Sequence, residues 1–333
     1  MHIPHYSELK RQTDATLARA REPKKAILAY SGIISVMGLL VSAGILMLDH
    51  QIGSTGGLAN MGLRSILSTI RSVLPLAQTC ILLCLEMGYI SAAMRFARGQ
   101  YADHTDLKTG FRLFGPALRL TILQSLIYTG VLLAAYYIGL QVCLLTPLGQ
   151  PLLDAAAPYL ESGTLPNIET MDPQLVDSLF RSMIPMLGVI LALFVLAVIP
   201  INYRYRMANY RLVDRPREGA MAALRNSRRM MRGNCFGLFK VDLHFWYYYL
   251  LTFLATVICY GDTLLPLLGI RLPMSDTLAY FLFYALYVAI QFFLYLGFRN
   301  RLEATYVTAY DAIRPQEDDG SVVLGNIFDM ARS

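Results

Sequence analysis

Six long apolar stretches divide the chain: Ala26–Leu48, Val73–Met94, Leu120–Leu145, Met183–Tyr203, Phe236–Tyr260 and Thr277–Phe298. A helix needs roughly 20 apolar residues to cross a hydrocarbon core of about 30 Å, and each stretch meets that length. The Gly, Pro and β-branched residues inside them do not break the pattern, because membrane helices tolerate them. The expected fold is all-α: a polytopic membrane protein with six transmembrane helices. Residues 1–25 precede this membrane domain, which covers 26–311. Residues 312–333, with "PQEDDG", read as a flexible tail.

The segments between the spans carry their own signals. Tyr6 to Arg21 reads as a short amphipathic helix, capped by Ser7 and ended by Pro23. Asp49–Arg71, rich in Gly and Ser, reads as a loop, as do Arg95–Arg119 and the acidic Thr146–Arg181. Asp172 followed by Pro173 supplies a cap and a first helical residue. The fourth span therefore starts before its apolar run and kinks near Pro185. Between spans four and five, Gly219–Arg232 is helical. At 100° per residue, Arg225, Arg228, Arg229 and Arg232 fall within an arc of about 100°. Ala220, Ala223, Leu224, Ser227, Met230 and Met231 gather opposite them. Two placements are open: flat in the membrane interface with the arginines near lipid phosphates, or folded against the ends of the spans. Gly233-Asn234 supplies the corner into span five. The exits of spans two, four and six read "RFARGQYAD", "RMANYRLVD" and "LEATYVTAYD". Each has Ala, then Tyr, then Asp, as three related helical hairpins would produce and as chance would equally.

Composition sharpens the membrane reading. Apolar residues make up 55% of the chain and charged ones only 16%, against about 25% charged in soluble proteins. The net charge of +6 would suggest nucleic acid if it were spread evenly. It is not. Of the 29 Lys and Arg residues, only Arg64, Arg71, Arg181 and Arg271 lie on the side opposite the rest. Basic residues mark the cytoplasmic face, so both termini are expected inside and no nucleic-acid partner is implied. Ala26–Leu48 is too long for the apolar core of a signal peptide and lacks a small-residue cleavage site, so it reads as a retained first span. Cys80, Cys84, Cys143, Cys235 and Cys259 lie in the spans or at their edges, away from outer loops where an oxidising compartment would pair them. Cys80 and Cys84 share a helix face, but a metal would need two further ligands. Free thiols and no cofactor are the expectation.

Ionisable groups inside a bilayer are functional candidates. Glu86 lies nine residues from Arg95, about 13 Å deep, with no cation at i±3 or i±4. Gln78 lies on nearly the same face. The pair is open to two readings: a proton or cation site, or an interhelical hydrogen bond. In span five, Lys240 and His244 stand one above the other at i, i+4. Lys240 is shallow enough to snorkel, Asp242 points the other way and needs a partner, and His244 would reach Glu86 if spans two and five touched. In span three, Gly130-x-x-x-Ala134 and Ala135-x-x-x-Gly139 offer close helix packing. No H-E-x-x-H, G-x-x-x-x-G-K-[ST] or G-x-S-x-G occurs, and the five histidines are scattered. No enzyme is expected.

Several stretches together resemble a known family: "ELK" at Glu8–Lys10, "KKAIL" at Lys24–Leu28, "DLKTGFRLFGPAL" at Asp106–Leu118, Asp214, Ser227, Met231 and Gly233, "LFKVDLHF" at Leu238–Phe245, and "ATYVTAYD" at Ala304–Asp311. The chain resembles the bacterial multi-span membrane proteins grouped as domain of unknown function 975. His244 stands where that family usually has Ser, and Tyr247 and Tyr248 where Gly and Trp are usual, so no family role passes to His244. The resemblance implies a bacterial plasma-membrane protein without an assigned activity.

The expectation is therefore a non-catalytic protein of the bacterial inner membrane. Through Arg225, Arg228, Arg229 and Arg232 it would bind anionic lipid head groups or a protein partner at the cytoplasmic face. The alternative is a transporter or channel for a small solute or ion, using Glu86, Asp242 and His244.

Overall fold

The computed structural model describes residues 3–19, 23–54, 61–146, 173–267, 269–270 and 273–314. The expected acidic loop, except at its ends, and the tail beyond 314 lie outside them, as do Asp172 and the side chain of Cys143. Every regular element among the described residues is helical. Among the described residues five helices are long and apolar enough to cross a membrane, or six if one bent pair forms a single span. Large apolar side chains such as Leu40, Met47, Leu126, Leu196 and Phe253 are exposed on them. In lipid this costs nothing, since hydrocarbon is as apolar as leucine.

The chain forms two compact units, Met1–Leu120 with Met207–Ser333, and Thr121–Arg206. The smaller unit pairs the greater part of α5 (Phe114–Leu145) with α6 (Pro173–Tyr205). Helix α6 begins at Pro173, as expected. A Cβ on Gly139 would stand 2.5 Å from Ile190 Cγ1, and Ala135 is buried. That half of the small-residue pattern lets the helices approach. Gly130 has open space around it and packs nothing.

The larger unit opens with α1 (Tyr6–Arg19), α2 (Pro23–Ser54) and α3 (Met61–Ala97). Pro23 starts α2, where its missing N–H costs nothing. Helices α2 and α3 consume most of the stretch expected as a loop, and Arg71 pairs with Asp49 across them at 2.5 Å. Beyond α3 the segment expected as a second loop is also ordered. Asp103 caps a 3₁₀ turn, His104–Lys108, in a capping box closed by Asp106. Helix α4 (Thr109–Arg112) follows.

After the smaller unit come α7 (Ala208–Asp214), a 3₁₀ turn at Pro216–Glu218 and α8 (Gly219–Met230). Helix α8 packs on α7. Ala220, Ala223, Leu224, Ser227 and Met230 are its buried side. Next are α9 (Cys235–His244), α10 (Trp246–Cys259), α11 (Gly261–Leu267) and α12 (Asp276–Leu294). A π turn, Tyr295–Arg299, then leads into α13 (Asn300–Ile313). The expected fifth span is a bent pair: α9 and α10 meet at 68°. The ladder tightens at the corner, with Phe245 N–H donating to Asp242 O at 2.9 Å. The polar residues Lys240, Asp242 and His244 all fall before the bend, so α10 carries no charged residue. The core lies around α13 and the end of α3. Tyr89, Met94, Phe96, Leu212, Phe245, Tyr306 and Tyr310 are among its fully or almost fully buried side chains.

Candidate functional site

Helix α13 organises the polar interior of the larger unit. Arg299 and residues 303, 306 and 310 follow one another at helical spacing, so they line one face. Glu303, Tyr306 and Tyr310 are buried. The Arg299 guanidinium stands between two carboxylates, Nη2 3.7 Å from Glu86 Oε1 and Nε 3.5 Å from Glu303 Oε2. Tyr210 on α7 donates its hydroxyl to Glu303 at 2.5 Å, and Tyr89 donates to Asn300 Oδ1 at 2.7 Å. The rings of Tyr89 and Tyr295 lie about 6 Å from the Arg299 guanidinium carbon, at 6.0 and 5.9 Å. Buried charges are tolerated only when paired, and here Arg299 faces both acids while Glu303 also accepts from Tyr210. The π turn that delivers Arg299 belongs to a class of helix irregularity frequent at functional sites.

One turn onward, Tyr306 donates to Asp242 on α9, and its hydroxyl lies 2.7 Å from that of Tyr249. Tyr310 donates to Asp214 Oδ2 at 3.0 Å. This leads to the second cluster, where the three similar exit segments meet. Arg98, after α3, places Nη1 2.9 Å from Asp214 and Nη2 2.8 Å from Asp311. Burial opposes the charge of Arg98, but the hydrogen bonds and charges of Asp311 and Asp214 outweigh it and hold its pKa above the ordinary arginine value. Nearby, Arg211 forms a forked pair with Glu218 at 2.5 and 3.0 Å, the bidentate geometry that arginine favours. Asn226 donates to the same carboxylate at 3.0 Å, tying α8 to α7.

The residues expected to act together are found apart. Glu86 is half-exposed and faces Arg299. Gln78 is partly buried, two turns earlier on α3. Asp242 finds its partner in Tyr306. His244 does not meet Glu86: its ring stacks on Tyr6 with centroids 3.7 Å apart, and Nδ1 lies 2.6 Å from Lys240 O. The reason is the bend, which turns α9 towards α1. Arg225, Arg228, Arg229 and Arg232 are all exposed, and none pairs with a carboxylate among the described residues. Sequence reasoning missed Arg299 and Glu303, although i, i+4 opposite charges at the end of an apolar run are a readable signal. It had no signal for Tyr210, whose role needs α7 beside α13.

Chemically, the stripe is a set of donors matched to carboxylates. No group of three or more His, Cys, Asp or Glu placed to hold a metal ion is found among the described residues. No curated protein and no solved structure matches the chain. A family model does, over residues 37–299. That range takes in Asp106–Leu118 and Leu238–Phe245 and stops short of Ala304–Asp311. Matched across most of its length, the chain belongs to the family described as Protein of unknown function (DUF975).

Proposed function

We propose that this is a non-catalytic protein of the bacterial plasma membrane, with six spans and both termini cytoplasmic, that collects anionic phospholipid head groups on its basic inner face. One contrast supports the reading. Arg98, Arg211, Arg299 and Arg301 each touch a carboxylate, whereas the four arginines of and just after α8 stand exposed without one. Their helix is anchored by its opposite side, so the cations are held in place. Helix α8 lies between two apolar segments that reach the membrane, which keeps its charges at head-group level. Each cation near an anionic surface is worth about 1 kcal/mol, so four could bias lipid occupancy by up to about 10³-fold.

The test is lipid retention by the full chain in nanodiscs of mixed phosphatidylglycerol and phosphatidylcholine, read by native mass spectrometry. The wild type should retain the anionic lipid preferentially. Replacing Arg225, Arg228, Arg229 and Arg232 with Gln should abolish the preference. An equal preference in both proteins would sink the proposal, and binding of an acidic protein by the wild type alone would shift it to a protein partner.

A second reading, transport of a small solute or ion, draws support from Glu86 alone, where two carboxylates share one guanidinium. Proton-coupled flux into proteoliposomes that disappears in Glu86→Gln would favour it, and flux unaffected by the substitution would count against it.

A further inference from the structure

Helix α1 and the residues before it touch both α9 and α13, two elements joined by the bond from Tyr306 to Asp242. At its start, Ile3 N–H donates to Asn234 Oδ1 at 3.1 Å. The Ile3 side chain fills the space a Cβ on Gly237 would occupy, 3.2 Å away. Tyr6 lies flat on His244 and edge-on to Phe245, centroids 3.7 and 6.4 Å apart. All of these bind α9. At its other end, Asp14 pairs with Arg301 of α13 at 2.6 Å, and Leu9 and Thr13 are fully buried where α1 packs on α13 and α3.

Helix α9 buries Leu238 and Val241. Apart from its covalent continuation into α10, its principal side-chain tie to α13 is Asp242 with Tyr306. Its junction with α10 is a natural hinge, because at Phe245 the backbone leaves helical geometry (φ −101°, ψ 18°) and the hydrogen-bond ladder shortens. The seat of α1 is also incompletely satisfied: Thr13 Oγ1 is buried and has no partner among the described residues. Most of the remaining surface of α1 is polar and exposed.

We infer that α1 is a releasable clasp that holds the hinged helix α9 against α13, and that its release frees α9 to swing about Phe245 and part Asp242 from Tyr306. This goes beyond lipid binding and does not depend on it.

Hydrogen–deuterium exchange of the full chain in nanodiscs tests the clasp. Tyr6→Ala should accelerate exchange in α1 and also across Cys235–Phe245, by tenfold or more, while Leu85–Met94 of α3 keeps its protection. Arg301→Asp should do the same, and adding Asp14→Arg should restore the slow rates by rebuilding the pair in reverse. Faster exchange in α1 alone, or in neither helix, overturns the inference. If Tyr6→Ala loosens α3 as well, the Arg301→Asp and Asp14→Arg pair decides: rescue of α9 protection supports the clasp and its absence refutes it.

Discussion

Arg98 sits among carboxylates from two distant segments, Asp214 and Asp311, and is four-fifths buried. Removing its guanidinium would leave two aspartates facing each other, with Arg314 at 3.8 and 3.5 Å from them. Deleting one partner of a buried ion pair is costly because the stranded charge is costly. Arg98→Gln is therefore expected to destabilise the larger unit by about 2–4 kcal/mol, measured by denaturant unfolding in detergent. Arg98→Lys should recover only part of this, since one ammonium cannot reproduce the guanidinium's fork to two acids. An Arg98→Gln protein as stable as the wild type would show that the exit segments are held by apolar packing alone.

At the scale of elements, the 3₁₀ turn and α4 are pressed onto α3 with almost no gap. A Cβ on Gly110 would lie 1.7 Å from Cys84 O, and one on Gly88 would lie 2.3 Å from Leu107 O. The obstructing atoms are backbone, so neither side can yield. Gly110→Ala is expected to cost about 3 kcal/mol or more, at or beyond the top of the usual overpacking range. Gly115→Ala, with open space around it, should be neutral or slightly stabilising because alanine is the better helix former. Equal stability of the two variants, read by thermal unfolding, would refute the close contact. This junction was not legible in the sequence, where Asp106–Leu118 is a polar–apolar mixture without a clear period. Hydropathy reports which solvent a helix meets, so the long apolar helices, the start at Pro173 and the two sides of α8 could all be read. It is blind to which helices meet. The pairing of Glu86 with Arg299, the Tyr210–Glu303 bond and the turn of α9 towards α1 all depend on that. The Gly- and Ser-rich stretch misled for a related reason: a helix end projecting beyond the apolar run needs no apolar residues to stay helical.

For the whole molecule, the open count of five or six spans turns on whether the bent pair α9–α10 crosses the bilayer. If it re-enters and returns, the segment before α12 lies on the same side as α8. On the six-span reading proposed above, a crossing is the expected outcome. Arg98, Asp214 and Asp311 meet at one point, so α3, α7 and α13 all end on one side. Helix α9 starts on that side, since Asn234 receives Ile3 and Asp242 receives Tyr306. Helix α11 begins elsewhere: a Cβ on Gly261 would lie 2.7 Å from the Phe283 ring, and a helix carries Phe283 about 24 Å from Arg299 along its axis. Between Asp242 and Gly261 the chain therefore covers much of the length of α12. On that reading the bend tilts a span without folding it back. Single cysteines introduced at Arg217 and Ile270 of a cysteine-free variant should react with a membrane-impermeant maleimide from opposite faces, Ile270 in intact cells and Arg217 only after permeabilisation. Labelling of both from the same face would make α9–α10 a re-entrant hairpin and leave five spans. It would also place the two ends of α12 on the sides opposite to those proposed, where Arg299 and Arg301 would lose the inward-facing cationic environment expected of them.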